Sequence, residues 1–201
     1  MIIVKTMHNR LVYSRRMQLL AEKMSRELPA QAKILDVGCG DGKIDALIMQ
    51  KRPDVVIEGI DVLVRPQTHI PVTAFDGNKI PHPDRSFDVV MFIDVLHHCL
   101  HPEQLLKEAK RVAKKAVLLK DHTRDGVLAG PTLRFMDWFG NAHHGVSLPY
   151  NYWSRSQWDH CLRELGLKVG QWHDRLELYP WPATWFFDRR LHFIASLERA
   201  A

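Results

Sequence analysis

The chain has 201 residues, 46% hydrophobic and 25% charged, which suits one folded unit with a substantial core and excludes a disordered chain. No apolar run approaches the roughly 20 residues that span a bilayer, and three scattered cysteines (Cys39, Cys99, Cys161) make neither a disulfide framework nor a zinc cage. The net charge of +5 is too small to decide for nucleic acid, although Lys5, Arg10, Arg15, Arg16, Lys23 and Arg26 could attract an anionic substrate or a membrane surface. The first apolar run is too short for a signal peptide, so a cytoplasmic location is expected.

Residues 11–28 read as a helix, because Leu20, Met24 and Leu28 recur at four-residue spacing and Pro29 stops it. Lys33–Val37 is a short apolar run, hence a strand. Ile44, Leu47 and Ile48 follow at helical spacing. Asp54–Asp61 ("DVVIEGID") is a second strand. His69–Phe75 ("HIPVTAF") is a third, and Pro71 inside it predicts a sheet edge. The proline-rich "DGNKIPHPDRS" then predicts a loop instead of a crossover helix. Phe87–Asp94 ("FDVVMFID") is the fourth strand and the most buried by pattern.

Pro102 opens the next helix at its first turn, with Leu105, Leu106, Ala109 and Val112 facing inward. Ala116–His122 ("AVLLKDH") is a fifth strand. Thr123–Trp153 mixes Gly, His and aromatic residues without a period, and is expected to be an irregular lid or substrate-binding segment. Ser154 and Gln157 make an S-x-x-Q capping box for a helix that turns Trp158, Leu162 and Leu165 inward and ends at Gly166. Two strands, about 167–178 and 191–197, close the chain. No helical pattern separates them, so antiparallel pairing is expected.

The stretch "ILDVGCGDGKID" (Ile34–Asp45) puts Gly38, Gly40 and Gly42 at alternate positions directly after the first strand. Backbone this bare suits a positive φ or a ligand lying on the main chain. A dinucleotide turn, G-x-G-x-x-G, would need glycine at 43, where Lys43 stands. Asp36 beside the turn would repel a pyrophosphate and suit an ammonium group.

Asp36-Val37-Gly38-Cys39-Gly40-Asp41-Gly42 resembles the first motif of the class I S-adenosylmethionine-dependent methyltransferases. Asp61 ends the second strand, Asp76 and Gly77 follow the third, and "SFDVVMFIDVLHH" with "LLKEAKRVAK" resembles the small-molecule, type 11-like branch. The resemblance covers about residues 30–122. It implies an α/β fold: a Rossmann-like, seven-stranded, mostly parallel sheet, with helices on both faces and an antiparallel last pair. A single domain, 1–201, would divide into an N-terminal helical segment (1–29), a cofactor-binding core (30–122), the lid or substrate loop (123–153) and a closing helix with its strand pair (154–201).

The resemblance also implies an enzyme with S-adenosyl-L-methionine as cofactor, held by Asp36, Gly38, Cys39, Gly40, Asp61, Val62, Asp76, Gly77 and Asp94. Asp36 would serve the ammonium, Asp61 the ribose hydroxyls, and Asp76 with Gly77 the adenine. Asp36 could instead satisfy turn amides, Asp61 could cap a helix, and Asp94 is open. His97, His98, Cys99 and His101 are metal-ligand types at poor spacing, and no metal is expected.

Methyl transfer needs position and a dry pocket, and a base only for a protonated acceptor. His122, ending the fifth strand, is the candidate base. His143, Tyr152 and Trp153 are candidate substrate contacts. The aromatic residues beside a basic segment suggest a small organic acceptor, apolar or lipid-like, with peripheral membrane contact allowed. Nucleic acid is disfavoured, because Asp94-Val95-Leu96-His97 stands where amino-methylating enzymes of that group carry Asn/Asp-Pro-Pro-aromatic. A nucleic-acid methyltransferase and a non-catalytic binder of the same cofactor are the alternatives.

Overall fold

A computed structural model describes residues 2–141 and 149–199, with side chains from Ser14 onward except at 140–141. The elements run α1 (Ile2–Glu27), β1 (Lys33–Val37), α2 (Lys43–Lys51), β2 (Val56–Asp61), β3 (Val72–Ala74), β4 (Phe87–Ile93), a 3-10 turn (Leu96–His98), α3 (Pro102–Val112), β5 (Ala113–His122), α4 (Ala129–Asn141), α5 (Arg155–Glu164), β6 (Leu167–His173), α6 (Thr184–Phe187) and β7 (His192–Arg199). Among the described residues no helix is long and apolar enough to cross a membrane.

The strands form one sheet in the order β3-β2-β1-β4-β5-β7-β6. β3, β2, β1, β4 and β5 pair in parallel. β7 alone runs the other way, antiparallel to both β5 and β6. This is the expected mostly parallel sheet with an antiparallel end. Order reverses between β1 and β4, so a crevice opens at their carboxyl ends, where such sheets hold ligands.

Alternation along the strands builds two cores. Leu35, Val37, Val90, Phe92, Val117 and Leu119 face α3 and α5, meeting Leu106, Val112, Trp158 and Leu162. Ile34, Val89, Met91 and Leu118 face the other way, against Leu20, Met24 and Leu28 of α1 and Ile48 of α2. Side chains of period two in strands and near four in helices make this double-sided burial possible.

Pro71 precedes the short edge strand β3, as its missing N–H predicts. No helix joins β3 to β4. Arg111 of α3 holds that loop, donating from Nη1 to His82 O and Asp84 Oδ1 (both 2.8 Å) and from Nη2 to Ile80 O (3.0 Å). The Ser154–Gln157 capping box is present at the start of α5.

The 123–153 stretch differs from expectation, because α4 occupies Ala129–Asn141. The mixture of Gly, His and aromatic residues hides its period. Pro131 falls in the first turn, where its missing N–H costs nothing, and Ala129, Leu133 and Asp137 form a buried side at four-residue spacing. β6 ends at His173, before the expected 178.

Candidate functional site

At the end of β1 the chain turns over Gly38, Gly40 and Gly42, each with positive φ. Two of these glycines do different work. A Cβ on Gly38 would lie 2.7 Å from Val95 Cγ2, so that glycine serves packing against the β4 loop. A Cβ on Gly40 would meet nothing within 4 Å, so that backbone lines open space. Gly40 N–H donates to Asp61 Oδ2 (2.8 Å) and Leu63 N–H to Asp61 Oδ1 (2.8 Å). Asp61 therefore fixes the turn across the β1/β2 mouth, and each oxygen keeps a second lone pair for a ligand hydroxyl.

Val62 is 65% exposed beside this mouth, and Gly77 lies close enough that an added Cβ would sit 3.1 Å from Val62 Cγ1. Asp76 Oδ1 accepts from the N–H groups of Asn78 (2.8 Å) and Lys79 (2.9 Å). Those bonds hold its carboxyl below the usual range. Asp36 is buried beneath the turn with Asp45 of α2. Asp36 Oδ1 and both Asp45 oxygens have no hydrogen-bond donor among the described residues. Burial first, and then the neighbouring Asp45, pushes the Asp36 carboxyl well up. Burial lifts Asp45 to about 7. Cys39 sits against them, and burial with these carboxylates raises its thiol, leaving it neutral.

This arrangement fits S-adenosylmethionine. Gly40 leaves an open cradle, Asp61 offers acceptors for a diol, and Asp36, which shares a proton with Asp45, would give it up to face an ammonium group directly or through water.

The other side of the mouth is a buried polar cluster. Asp94, at φ 58° after β4, accepts from Arg16 Nη2 of α1 (2.8 Å) and pairs with the fully buried Lys120 of β5. Burial alone would raise its carboxyl, but Lys120, Arg16 and the nearby histidines together hold it well down. Lys120 Nζ lies 3.3 Å from His192 Nδ1, while His192 Nε2 lies 3.0 Å from Phe187 O. A carbonyl only accepts, so His192 carries its proton on Nε2 and takes the lysine proton on Nδ1.

Asp121, the next residue of β5, accepts from Leu96 N (3.0 Å) and His122 N (2.8 Å) and lies 2.7 Å from His97 Nδ1. A carboxylate fixes the Nδ1–H tautomer of His97 and leaves Nε2 with the lone pair. Burial opposes the charged form of His97, but Asp121 outweighs it and raises the imidazole above its ordinary value. His122 differs. Its Nδ1 is 3.3 Å from the same Asp121 oxygen, yet burial and the Lys120 ammonium push it down to about 4. Tyr152 stacks on His97 at 5.2 Å, with its hydroxyl 3.0 Å from Asp137 Oδ2 of α4.

The structure thus gathers Asp36, Gly38, Cys39, Gly40, Asp61, Val62 and Gly77 around one mouth, with Asp76 exposed at its rim. It turns Asp94 toward Arg16 and Lys120. Tyr152 joins the histidine cluster, whereas Trp153 packs on Trp158 at 4.8 Å. His143 lies outside the described residues. The sequence alone does not make His97 and Asp121 partners, since 24 residues separate them and only the pairing of β4 with β5 brings the 3-10 turn beside Asp121. The paired histidines of "VLHH" were the one signal. Ligand atoms of His97, Asp121 and His122 lie within 4.8 Å of one another, a spacing that could admit an ion, but buried Lys120 beside them opposes a cation.

Among known proteins, a family described as methyltransferase domain matches residues 8–171. The 27-O-demethylrifamycin SV methyltransferase of Amycolatopsis mediterranei is 29% identical over 110 residues, covering 47% of this chain and 40% of that protein. The tRNA (carboxymethyluridine(34)-5-O)-methyltransferase of Schizosaccharomyces pombe is 30% identical over 102 residues, covering 49% and 43%. The chain therefore spans less than half the length of these two relatives. In a solved complex of the Haloferax volcanii Trm112 methyltransferase activator with a methyltransferase, the matching chain superposes with a TM-score of 0.70 at 16% identity, covering 96% of this chain and 93% of that one. At that identity the likeness shows the fold alone.

Proposed function

The chain belongs to the S-adenosylmethionine-dependent methyltransferase domain family, and from that premise we propose that it methylates a hydroxyl group of a small organic acceptor, with His97 as general base. The observation that carries this reading is the 2.7 Å contact between His97 Nδ1 and buried Asp121. The cofactor supplies a methyl group already activated by its sulfonium, so the protein contributes position, dryness and a proton acceptor.

Under this reading Asp61 accepts the ribose hydroxyls, Gly40 lets the ligand lie on the main chain, Asp36 meets the ammonium, and Asp76 with Gly77 faces the adenine. Residues 30–122 carry that half of the site. The described residues 123–141 and 149–153, with the segment before β7, wall the acceptor, and Tyr152 holds the His97 ring by stacking. As the acceptor oxygen bonds to the methyl carbon, the methyl–sulfur bond would break, S-adenosylhomocysteine would leave, and His97 Nε2 would take the hydroxyl proton. The Asp121 charge then stabilises the imidazolium.

His122 is the other candidate base. It is neutral at neutral pH, but its low affinity for a proton makes it the weaker acceptor. A second acceptor class, RNA, is favoured by the likeness to the fungal tRNA enzyme. The deciding experiment uses labelled methyl donor with a panel of small hydroxylated compounds and with total tRNA. Transfer to a small compound, with His97→Gln slower by about 10²–10⁴-fold at unchanged S-adenosylhomocysteine affinity, is the expected result. Transfer to tRNA alone would overturn the acceptor class. Full turnover in His97→Gln together with loss in His122→Gln would move the base to His122.

A further inference from the structure

α4 has two unlike sides. Leu133 and Asp137 are buried, whereas Phe135, Trp138 and Phe139 are 54%, 55% and 62% exposed at the i, i+3, i+4 positions of one face. Their rings cluster, Phe135 lying 6.5 Å from Trp138 and 6.2 Å from Phe139. The loop before α4 adds exposed Val127 and Leu128. Around α6, Trp181, Trp185 and Phe186 are also exposed, at 79%, 74% and 61%. Arg189 ties the two segments, donating to Val127 O (3.3 Å) and Thr132 Oγ1 (3.0 Å).

Isolated exposed apolar residues need no explanation, but three tryptophans and three phenylalanines on two joined helical segments do. The charges around them are mostly positive. Arg134 of α4 is exposed, as are Arg175, Arg189 and Arg190 on the α6 side, while Asp125 is an exposed acid in the loop before α4. Behind α6 a groove of about 680 Å³ has Arg15, Lys23, Arg175, Arg189 and Arg190 in its wall with Trp181. Asp174, Glu177 and Asp188 line it too, with Asp188 engaged by the amides of Leu178 and Tyr179 and Asp174 facing Arg190, so the cations of the wall outnumber its acids by five to three.

We propose that the α4–α6 ridge docks on an anionic phospholipid surface. Tryptophan and phenylalanine on the outer face of a helix enter the headgroup boundary, and flanking arginines meet lipid phosphates. The inner side of the same helix holds Asp137, which bonds Tyr152 against His97. Docking therefore sets the acceptor wall next to the bilayer, where an amphiphilic substrate would be met.

The test is co-sedimentation of the full chain with phosphatidylcholine vesicles, alone and with phosphatidylglycerol. Binding to the anionic vesicles, weakened by salt and accompanied by a blue shift of tryptophan emission, is expected. The combined variant Trp138→Ser, Trp181→Ser, Trp185→Ser should bind at least about tenfold less while keeping its affinity for S-adenosylhomocysteine. That retained affinity shows the variant is folded, and vesicle binding is read without any methyl transfer. Failure of the wild type to sediment with anionic vesicles, equal sedimentation with neutral ones, or wild-type-like binding by the variant would each overturn the proposal. So would a ridge-dependent dimer seen by light scattering in a protein that ignores vesicles.

Discussion

Single residues carry opposite proton affinities a few ångströms apart, and pH separates them. His97 is raised by Asp121, so kcat/KM should rise with pH through a midpoint above about 6.5, the ordinary histidine value. With His122 as base the midpoint would fall near 4. On the cofactor side, Asp45 titrates at about 7 when folded, against about 3.9 when unfolded. Between those values the folded chain holds the extra proton, so stability is full at the acid end and declines as pH rises through the window. Asp45→Asn should flatten that decline, read by urea denaturation near the two ends of the range. A variant with the same decline as the wild type would place its cause elsewhere. Asp61→Ala should weaken S-adenosylhomocysteine binding by about 1.5–3 kcal/mol in calorimetry, the range for hydrogen bonds to a charged acceptor. An unchanged Kd would remove Asp61 from the ribose contact.

At the scale of elements, most of the sheet was legible, because its strands are short apolar runs with turn residues between them. β1, β2 and β4 lie within two residues of their expected bounds. α4 was not legible. Its mixture of Gly, His and aromatic residues shows no period, and its buried side is set by contacts with Tyr152 and Leu191 that only the fold supplies. The glycine turn and Asp61 could be read from order and spacing. The His97–Asp121 pair could not, since a tautomer depends on which carboxylate the tertiary structure brings near. Two elements offer direct tests. Ser154 accepts from Gln157 N in the α5 capping box, so Ser154→Ala should cost about 1 kcal/mol by denaturant titration. Gly40→Val puts a side chain into open space, though at φ 61° it also strains the turn locally. It should abolish S-adenosylhomocysteine binding while the far-ultraviolet circular dichroism stays native. A valine variant that binds normally would reduce the glycine to a turn former.

The whole molecule is a sheet whose two edges differ in kind. β3, β2, β1 and β4 end at the mouth proposed for the cofactor, following the usual rule for a sheet whose order reverses. On the other side, reversed β7 brings His192 beside His122, in register, so the far end of the chain reaches the same mouth. That placement also has a temporal consequence. β7 lies between β5 and β6, yet the ribosome makes it after both. Until Arg199 has left the exit tunnel, β5 has an open hydrogen-bonding edge and β6 has no neighbour in the sheet. Two strands therefore join the sheet only at the end of synthesis, and a chain truncated after Arg190 should leave the β5 edge and the apolar side of β6 uncovered, as a substrate for chaperones.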